Sequence, residues 1–304
     1  MKIFDVHTDV LYDLYISKKK GIENRFSDVH VKQLKNNVIK GGLWTLYSPD
    51  KFDLIEAVKI ALAEIDMSKL PGFELMLGLE GLLNLEKVED LDTLYELGIR
   101  HALLTWNEAN KYATGVAGPA DRGLTLEGKK LLDKMIELDM IIDVAHLNEK
   151  SFFDVLSYTN KNIIFSHGNV KELCDHRRNL TLDQLKALKE VDGLFGLTLA
   201  KNFVSKAKDK QTLEYFLDHV DRAVEIMGID NVMFGFDFMD YLEEGFNDAN
   251  LYEVNSAFDA YKIIDGLKKR GYSDEDINKI CYNNFMNRYS KHLIKLWGGK
   301  WLKD

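Results

Sequence analysis

Near its start the chain reads Ile3-Phe4-Asp5-Val6-His7-Thr8-Asp9, an apolar run that ends in two potential metal ligands. In a β-strand, side chains two residues apart point to the same face, so His7 and Asp9 can reach one point. Imidazole and carboxylate groups are ordinary ligands of zinc and related divalent ions. A single His-x-Asp pair is more often structural than metal-binding. Its interpretation therefore depends on how the later strands end.

Apolar strand-like runs alternate with amphipathic helical patterns along the whole chain. Eight strands are predicted, at residues 2–6, 42–47, 74–79, 99–104, 141–145, 162–165, 194–199 and 231–235. Helices are predicted at residues 53–67, 88–97, 125–139, 149–157, 181–190, 210–227, 255–269 and 273–289. Because no Pro- or Gly-rich linker interrupts these repeats, the pattern predicts an α/β fold. We expect a single (β/α)₈ TIM-type barrel in one domain that spans residues 1–304.

Composition limits the partners and the compartment. The 304 residues include 40 basic and 49 acidic side chains, and the net charge of −9 argues against nucleic acid or an anionic membrane as the main partner. Cys174 and Cys281 are the two cysteines and stand far apart in the sequence, which is typical of proteins from a reducing compartment. No apolar run is long enough to cross a bilayer, and no signal peptide precedes the first strand. We therefore expect a cytoplasmic protein with no membrane partner.

Potential metal ligands and proton carriers follow the predicted strands at their carboxyl ends, where barrel enzymes place their chemistry. Six such side chains occur there: His7, Asp9, Glu80, His146, His167 and Asp237. Glu80 follows an apolar run, and a carboxylate in that position is costly to bury unless it is paired or bound to metal. By contrast, Asp143 and His101 lie within predicted strands, and we expect them to be structural. The pattern predicts a metal site at the carboxyl-terminal rim of the barrel.

The order and spacing of these motifs resemble the membrane dipeptidase (renal dipeptidase) family, peptidase family M19, a branch of the amidohydrolase-like metal-dependent hydrolases. The matching segments are Asp5-Val6-His7-Thr8-Asp9, Gly78-Leu79-Glu80-Gly81, Leu104-Thr105-Trp106-Asn107, Asp143-Val144-Ala145-His146, Ser166-His167, Arg178-Asn179-Leu180, Gly235-Phe236-Asp237-Phe238 and Asn283-Asn284-Phe285. The resemblance implies a dipeptidase that uses two divalent metal ions, normally zinc. It also implies attack of a metal-bridging hydroxide on the peptide bond of a dipeptide, including dipeptides with a D-residue at the C-terminal position.

Roles for individual residues follow from the same resemblance. It implies that His7 and Asp9 bind the first ion, that His146 and His167 bind the second, and that Glu80 bridges both. Asp237 matches the acid/base aspartate, which makes Asp237 and Glu80 the expected catalytic residues. The substrate-binding residues are expected to be Arg178, Trp106 and Asn107.

Two of these substrate-binding positions depart from a simple match. Trp106 occupies the position where well-studied family members have histidine in a Thr-His-Asn motif, so the substrate preference is open. The adjacent Arg177 leaves open which of the two arginines contacts the substrate.

Other functions remain open from the sequence. A deaminase, a lactonase or a β-lactam hydrolase can be built on a similar barrel, and a non-catalytic barrel can serve as a binding scaffold. Single-metal deaminases usually present His-x-His at the first strand, where this chain has His7-Thr8-Asp9. Many binuclear relatives bridge their metals with a modified lysine after the fourth strand, where this chain has Thr105-Trp106-Asn107. A complete ligand set argues against a scaffold. The expected partner is a small dipeptide substrate, and a homodimer is left open.

Overall fold

Eight parallel strands form the centre of the computed structural model, which describes residues 1–243, 246–294, 296–297 and 300–301. The strands are β1 (Ile3–Thr8), β2 (Ile39–Tyr47), β3 (Glu74–Glu80), β4 (Ile99–Leu103), β5 (Ile141–Asp143), β6 (Ile163–Gly168), β7 (Leu194–Leu197) and β8 (Val232–Phe234). Each strand pairs with the next one in the chain, in the order β1 to β8. The predicted (β/α)₈ architecture is therefore confirmed. The expectation of one domain through residue 304 extends past the described residues.

Ten α-helices of five residues or more flank the strands in the described part of the chain, besides several 3₁₀, π-helical and short α-helical turns. They are α1 (Val10–Lys19), α2 (Leu54–Ala63), α3 (Asp90–Glu96), α4 (Leu126–Glu137), α5 (Glu149–Tyr158), α6 (Leu182–Glu190), α7 (Leu213–Met227), α8 (Tyr261–Lys269), α9 (Asp274–Asn278) and α10 (Asn284–Tyr289). A π-helical turn at Lys279–Asn283 joins the last two. A short antiparallel pair, β9 (Leu296–Trp297) with β10 (Lys300–Trp301), lies near the end of the chain.

The two largest differences from the predicted helices are at α1 and at the start of α8. Helix α1 was not predicted, because it follows β1 after Asp9 alone and no turn signal separates the two elements. Helix α8 starts at Tyr261 and not at residue 255, because short 3₁₀ turns occupy the preceding segment. The predicted helix starts at Thr125 and Ser273 are present as N-caps, and each side-chain oxygen accepts a hydrogen bond from the backbone N–H three residues on.

The seam between β8 and β1 is closed at the rim by hydrogen bonds from neighbouring residues. The Asp5 carboxylate accepts the backbone N–H of Phe236 at 2.9 Å and that of His7 at 3.3 Å. The N–H of Asp237 in turn donates to the His7 carbonyl at 3.1 Å. These bonds fix the ends of the first and last strands relative to each other, directly below two of the predicted site residues.

Apolar side chains fill the barrel interior away from the rim. One buried cluster takes residues from seven of the eight strands together with residues of the last helix: Phe4, Val6, Leu43, Met76, Ile141, Ile164, Leu194, Met233, Phe285, Met286 and Tyr289. A larger cluster fills the layer between strands and helices. These two apolar clusters fill the barrel away from its carboxyl-terminal rim. The candidate metal ligands lie at that rim, where barrel enzymes place their active sites.

His219 on α7 gives a pH-dependent contribution to stability. Its Nε2 donates to the Val204 carbonyl at 2.9 Å, and its Nδ1 accepts the Val170 N–H at 3.2 Å. The second bond requires the neutral ring, because a protonated Nδ1 cannot accept a hydrogen bond. Burial lowers the pKa of His219 to about 4. Since the unfolded histidine titrates near pH 6.5, this stability is present above that pH and is lost as the pH falls towards 4.

We expect the metal-free wild type to lose about 1.4 kcal/mol of unfolding free energy per pH unit from this residue between pH 6 and 4.5. Urea unfolding of the wild type and His219→Gln at pH 7.5, 6 and 4.5, with chelator present, measures the difference. The variant should be less stable at pH 7.5 and less sensitive to acid. Parallel pH curves for the two proteins would contradict the assignment.

Candidate metal centre

Glu80 lies at the centre of a buried cluster formed by the carboxyl ends of β1, β3, β5, β6 and β8. Its Oε2 is 3.6 Å from His7 Nε2. Its Oε1 is 2.9 Å from His146 Nε2 and 3.7 Å from His167 Nε2. The two carboxylate oxygens of Glu80 therefore face different histidines. The structure brings together all six side chains that the sequence singled out at the rim.

Two overlapping groups of side chains have ligand atoms close enough to hold one ion. The first contains His7, Glu80 and His167, and the second contains His7, Asp9 and Asp237; within each group all ligand atoms lie within 4.8 Å of one another. His146 completes the cluster, because its Nε2 lies 2.9 Å from His167 Nε2. This spacing is suited to shared coordination and not to a set of unrelated polar strand ends.

Neighbouring side chains fix the orientation of three cluster members. Ser166 Oγ is 2.8 Å from His167 Nδ1, and Asn107 Oδ1 is 3.0 Å from His146 Nδ1. Since an amide oxygen only accepts, His146 carries its proton on Nδ1 and directs the Nε2 lone pair at Glu80. Thr45 donates its hydroxyl to Asp9 Oδ1 at 2.8 Å. Such outer partners are typical of metal ligands, whose second nitrogen or oxygen is usually hydrogen-bonded.

The backbone is unusual at two of the cluster residues. His146 has φ +66° and Asp237 has φ +57°, both in the left-handed region that side chains other than glycine rarely adopt. Gly81, directly after Glu80, has φ +85°, and a Cβ there would meet the Trp106 backbone nitrogen at 3.0 Å. Conformations of this kind persist only where surrounding contacts impose them, and they are concentrated at functional sites.

The donor set fits a divalent metal ion. Both ring nitrogens of His7 are buried and have no hydrogen-bond partner in the part of the chain that the structure describes, although buried polar groups are nearly always paired. Imidazole nitrogens and carboxylate oxygens are the ligands that zinc and similar ions prefer. Cations at this position would also give the cluster's carboxylates the partners that burial otherwise denies them.

The electrostatics of the protein alone are unfavourable at this site. Burial, followed by the negative charge of Asp237, raises the pKa of Glu80 to about 8. Burial also raises the pKa of Asp9 and of Asp237. In the opposite direction, burial lowers the pKa of His146 and of His167 well below the usual value. Neutral imidazoles beside crowded carboxylates are the arrangement that a bound dication stabilises.

Arg178 forms part of the wall of a cavity of about 570 Å³ that opens above the cluster. Its side chain is buried, its Nη2 donates to the His167 carbonyl at 3.2 Å, and its guanidinium lies over the Phe203 ring at 5.5 Å. Its Nε and Nη1 have no hydrogen-bond partner within the described residues. Burial lowers the pKa of Arg178 to about 10, so the group is still a cation at neutral pH. Arg177, in contrast, is exposed.

We expect Arg178→Lys to lower kcat/KM by about 1–3 kcal/mol in transition-state free energy, because lysine replaces a planar fork of donors with a point charge. Arg177→Lys is the matched control, since it makes the same change on the neighbouring exposed side chain. Steady-state kinetics on one dipeptide measures both variants. A larger loss in Arg177→Lys than in Arg178→Lys would show that Arg177, and not Arg178, contacts the substrate.

Aromatic rings form another side of the cavity. Trp106 is half-buried, with its ring centroid 5.2 Å from that of Tyr47 and 6.0 Å from that of His146. The Tyr47 ring is in turn 5.1 Å from Tyr12. All four side chains line the cavity, so the Trp106 indole presents mainly apolar surface to it.

We expect Trp106→His to change the ratio of kcat/KM values among dipeptides and to leave the metal content unchanged. Indole donates one hydrogen bond and cannot act as a base at neutral pH, so its contribution is packing. A panel of dipeptides that differ in one side chain, assayed beside elemental analysis, measures both properties. An unchanged substrate profile would place this side chain outside the binding region.

Several residues of the site were not identified from the sequence. Thr45 and Ser166 orient ligands, but single hydroxyl residues in apolar strands are common and carry no distinctive signal. Asn107, expected to bind substrate, also contacts His146 as described above.

Asp143 lies behind the cluster, where its carboxylate accepts the N–H groups of Ala145 and Ser166 and lies 2.8 Å from His101 Nε2.

A barrel whose carboxyl rim gathers histidines and carboxylates beneath an open cavity is typical of metal-dependent hydrolases. Within that class the chain belongs to the membrane dipeptidase family, peptidase family M19, whose model matches residues 68–291. The chain is thus a member of a family of metallopeptidases. The matched range contains Glu80, His146, His167, Arg178 and Asp237, and it begins after β1.

Similar proteins include two dipeptidases and one protein whose description gives no activity. A Klebsiella pneumoniae protein described as an uncharacterized protein in the pqqA 5′ region is 31% identical over 206 residues, covering 65% of this chain and 73% of the relative. Dipeptidase tcpJ of Claviceps purpurea is 27% identical and Dipeptidase 3 of Mus musculus 24%, each over 90% of this chain. The chain spans 64% and 62% of the lengths of these two dipeptidases.

Solved structures share the fold. The dipeptidase AC, a metallopeptidase of family M19, superposes with a TM-score of 0.78 at 20% identity, covering 94% of this chain and 97% of its own. A metallopeptidase from Rhodobacter sphaeroides, solved with a phosphinate mimic of the dipeptide L-Ala-D-Ala, gives 0.79 at 20% identity, covering 94% and 98%. Within the described residues, no helix has the length and apolar character needed to cross a bilayer.

Proposed function

We propose that this chain is a dipeptidase that binds two divalent metal ions, most readily zinc, and hydrolyses the peptide bond of dipeptides. The observation that carries the proposal is the position of Glu80, whose two oxygens face His7 on one side and His146 and His167 on the other. Family membership supports the same reaction. The proposal treats residues 1–304 as one catalytic domain.

The cluster divides into two half-sites around Glu80. We assign His7 and Asp9 to one ion, His146 and His167 to the other, and Glu80 to both. The distances from the Glu80 oxygens to His7, His146 and His167 support this assignment. When bound, such ions supply a water of lowered pKa and a Lewis acid for the scissile carbonyl. The protein's own contribution is to hold neutral imidazoles and crowded carboxylates in place before the ions arrive.

Asp237 is the proposed acid/base residue. Its Oδ1 lies 3.9 Å from His7 Nε2 at the floor of the cavity, next to the cluster but at its edge. Burial raises the pKa of this carboxyl, while His7 and Arg178 counteract the increase. A carboxylate in this position can accept a proton from the attacking water and return it to the leaving amine.

Arg178 is the proposed binding residue for the substrate carboxylate. Within the described residues, Nε and Nη1 of this buried guanidinium have no hydrogen-bond partner, so Arg178 has N–H groups left to bind a substrate carboxylate. The cavity volume is in the range typical of small-molecule sites, and Trp106 and Asn107 lie in its wall. Because Arg178 would hold the carboxylate and not the side chain, we extend the proposal to dipeptides with a D-residue at the C-terminal position.

The proposed setting is the cytoplasm, with a small dipeptide as the partner. Both cysteines are free and buried, which suits a reducing compartment. The net charge of −9 disfavours nucleic acid as a partner.

The test of the proposed function is metal-dependent hydrolysis. Protein stripped by chelator is assayed for hydrolysis of L-Ala-L-Ala and L-Ala-D-Ala before and after addition of zinc, manganese or cobalt. We expect no hydrolysis without metal and recovery at two equivalents per chain. Hydrolysis of a lactone or release of ammonia from an aminated ring, without cleavage of any dipeptide, would replace the proposal with the corresponding alternative. Full metal loading without hydrolysis of any of these substrates would favour the remaining alternative, a non-catalytic binding scaffold.

A further inference from the structure

The turn that carries Asp237 is held from outside by a distant side chain. As described above, Asp237 adopts a left-handed backbone conformation that a residue other than glycine keeps only under restraint. Its own N–H is bound to the His7 carbonyl. The restraint on its carbonyl side comes from Asn250, which lies 13 residues further along the chain.

Both the nitrogen and the oxygen of the Asn250 side-chain amide form hydrogen bonds with this turn. Its Nδ2 donates to the Asp237 carbonyl at 2.9 Å and to the Phe236 carbonyl at 3.4 Å. Its Oδ1 accepts the N–H of Met239 at 3.0 Å. The side chain therefore spans the residues before and after the bend. An amide is suited to this position because it supplies a donor and an acceptor in fixed geometry.

Asn250 is itself firmly anchored. It is 1% exposed and forms a bridge with Ala200, just beyond the end of β7. The flanking Leu251 donates its N–H to Leu199 at 3.0 Å, and Ala249 accepts the N–H of Lys201 at 2.9 Å. The Asp237 turn is thus connected through Asn250 to the neighbouring strand end, and its position does not depend on β8 alone.

We infer that Asn250 is a positioning residue for Asp237, holding the carboxylate at the cluster in the orientation that proton transfer needs. The inference rests on the proposed function, in which Asp237 is the acid/base residue. It assigns Asn250 no contact with substrate or metal. Because a displacement of about 1 Å at a reacting group can cost on the order of a hundredfold in rate, loss of this restraint should act on turnover.

The first test compares Asn250→Ala and Asn250→Asp with a matched control, Asn284→Ala. Asn284 Nδ2 donates to the carbonyls of Ile229 and Val232, both at 2.7 Å, so it performs the same chemistry at the opposite end of β8. We expect both Asn250 variants to lower kcat by about ten- to a hundredfold, with KM and metal content unchanged. Asn284→Ala should reduce thermal stability to a similar extent and keep its kcat.

Asn250→Asp makes the test independent of gross misfolding. It keeps the side-chain size and the acceptor for Met239, and it replaces the donor to Asp237 and Phe236 with a carboxylate oxygen that repels their carbonyl oxygens. A fall in kcat for Asn250→Asp, with wild-type thermal unfolding, supports positioning. Wild-type kcat in this variant would overturn the inference.

A double-mutant cycle identifies the residue through which Asn250 acts. If it works through Asp237, adding Asn250→Ala to Asp237→Asn should change kcat by less than about twofold, because the group it orients is already absent. A full additional loss in the double variant would overturn the inference and leave Asn250 a general structural residue. If Asp237→Asn alone retains wild-type kcat, the acid/base assignment of the proposed function has failed instead.

A structural measurement, which does not depend on catalytic activity, completes the test. A crystal structure of Asn250→Ala should show the Asp237 carboxylate moved away from His7, compared with the 3.9 Å separation described here. An unchanged Asp237 backbone and side chain in that structure would overturn the inference, whatever the kinetics. Loss of metal from Asn250→Ala would do the same, because the side chain would then support the ligands and not Asp237.

Discussion

Asp237→Asn is expected to lower kcat by about 10²–10⁴-fold while metal remains bound. Asparagine keeps the shape of the side chain but cannot accept a proton at neutral pH. The size of the effect is that of losing a general acid–base group. Metal content should be unaffected, because the five proposed ligands are untouched: His7, Asp9, Glu80, His146 and His167. Steady-state kinetics together with elemental analysis of the same sample measures both properties.

The pH dependence of the hydrolysis rate tests whether Asp237 acts as a general base. A general base must be ionised to act, so the wild-type rate should fall as the pH drops through the pKa of Asp237, which burial raises. In the residual activity of Asp237→Asn this acidic limb should be lost or displaced. Asp240→Asn is the matched control, since it makes the same change three residues later on a carboxylate that accepts from Gln33. Loss of metal from Asp237→Asn, with recovery of the rate when zinc is added, would show that Asp237 is a metal ligand.

The general fold was predictable because it depends on local patterns. Each strand is an apolar run such as Met76-Leu77-Gly78-Leu79, and the polar residue that follows it, here Glu80, falls at the rim by the geometry of parallel strands. Convergence of the six candidate side chains followed from that rule. Helix α1 was missed because its N-cap residue, Asp9, was interpreted as a metal ligand at the strand end, and no turn separates the strand from the helix.

The finer geometry of the site could not be predicted from local patterns. The positive φ angles of His146 and Asp237 depend on tertiary contacts. His and Asp adopt this conformation more often than most residues, but the residue type alone does not show which of them do so. The contact between Asn250 and Asp237 depends on the path of an irregular loop with no periodicity. Which arginine enters the cavity was likewise settled by burial, since Arg177 and Arg178 are equivalent in sequence.

Glu80→Gln should cost the protein at least one of two metal equivalents and most of its activity, with little change in the fold. An amide oxygen is a poorer ligand for a dication than a carboxylate, and Glu80 is the side chain that faces both half-sites. Glu74→Gln is the matched control at the other end of β3, where the carboxylate binds the Tyr282 hydroxyl. Elemental analysis after dialysis, with thermal unfolding of the metal-free proteins, distinguishes ligand loss from destabilisation.

Proton release gives a second, independent measure of the role of Glu80. Burial raises the pKa of this carboxyl to about 8 in the metal-free protein, so at pH 7 it carries a proton that a bound ion must displace. Metal uptake by the wild type should therefore release about one proton more than uptake by Glu80→Gln. Isothermal titration calorimetry at pH 7 in two buffers of different ionisation enthalpy measures that difference. Two equivalents bound by Glu80→Gln, with wild-type proton release and normal turnover, would show that Glu80 does not bridge the ions.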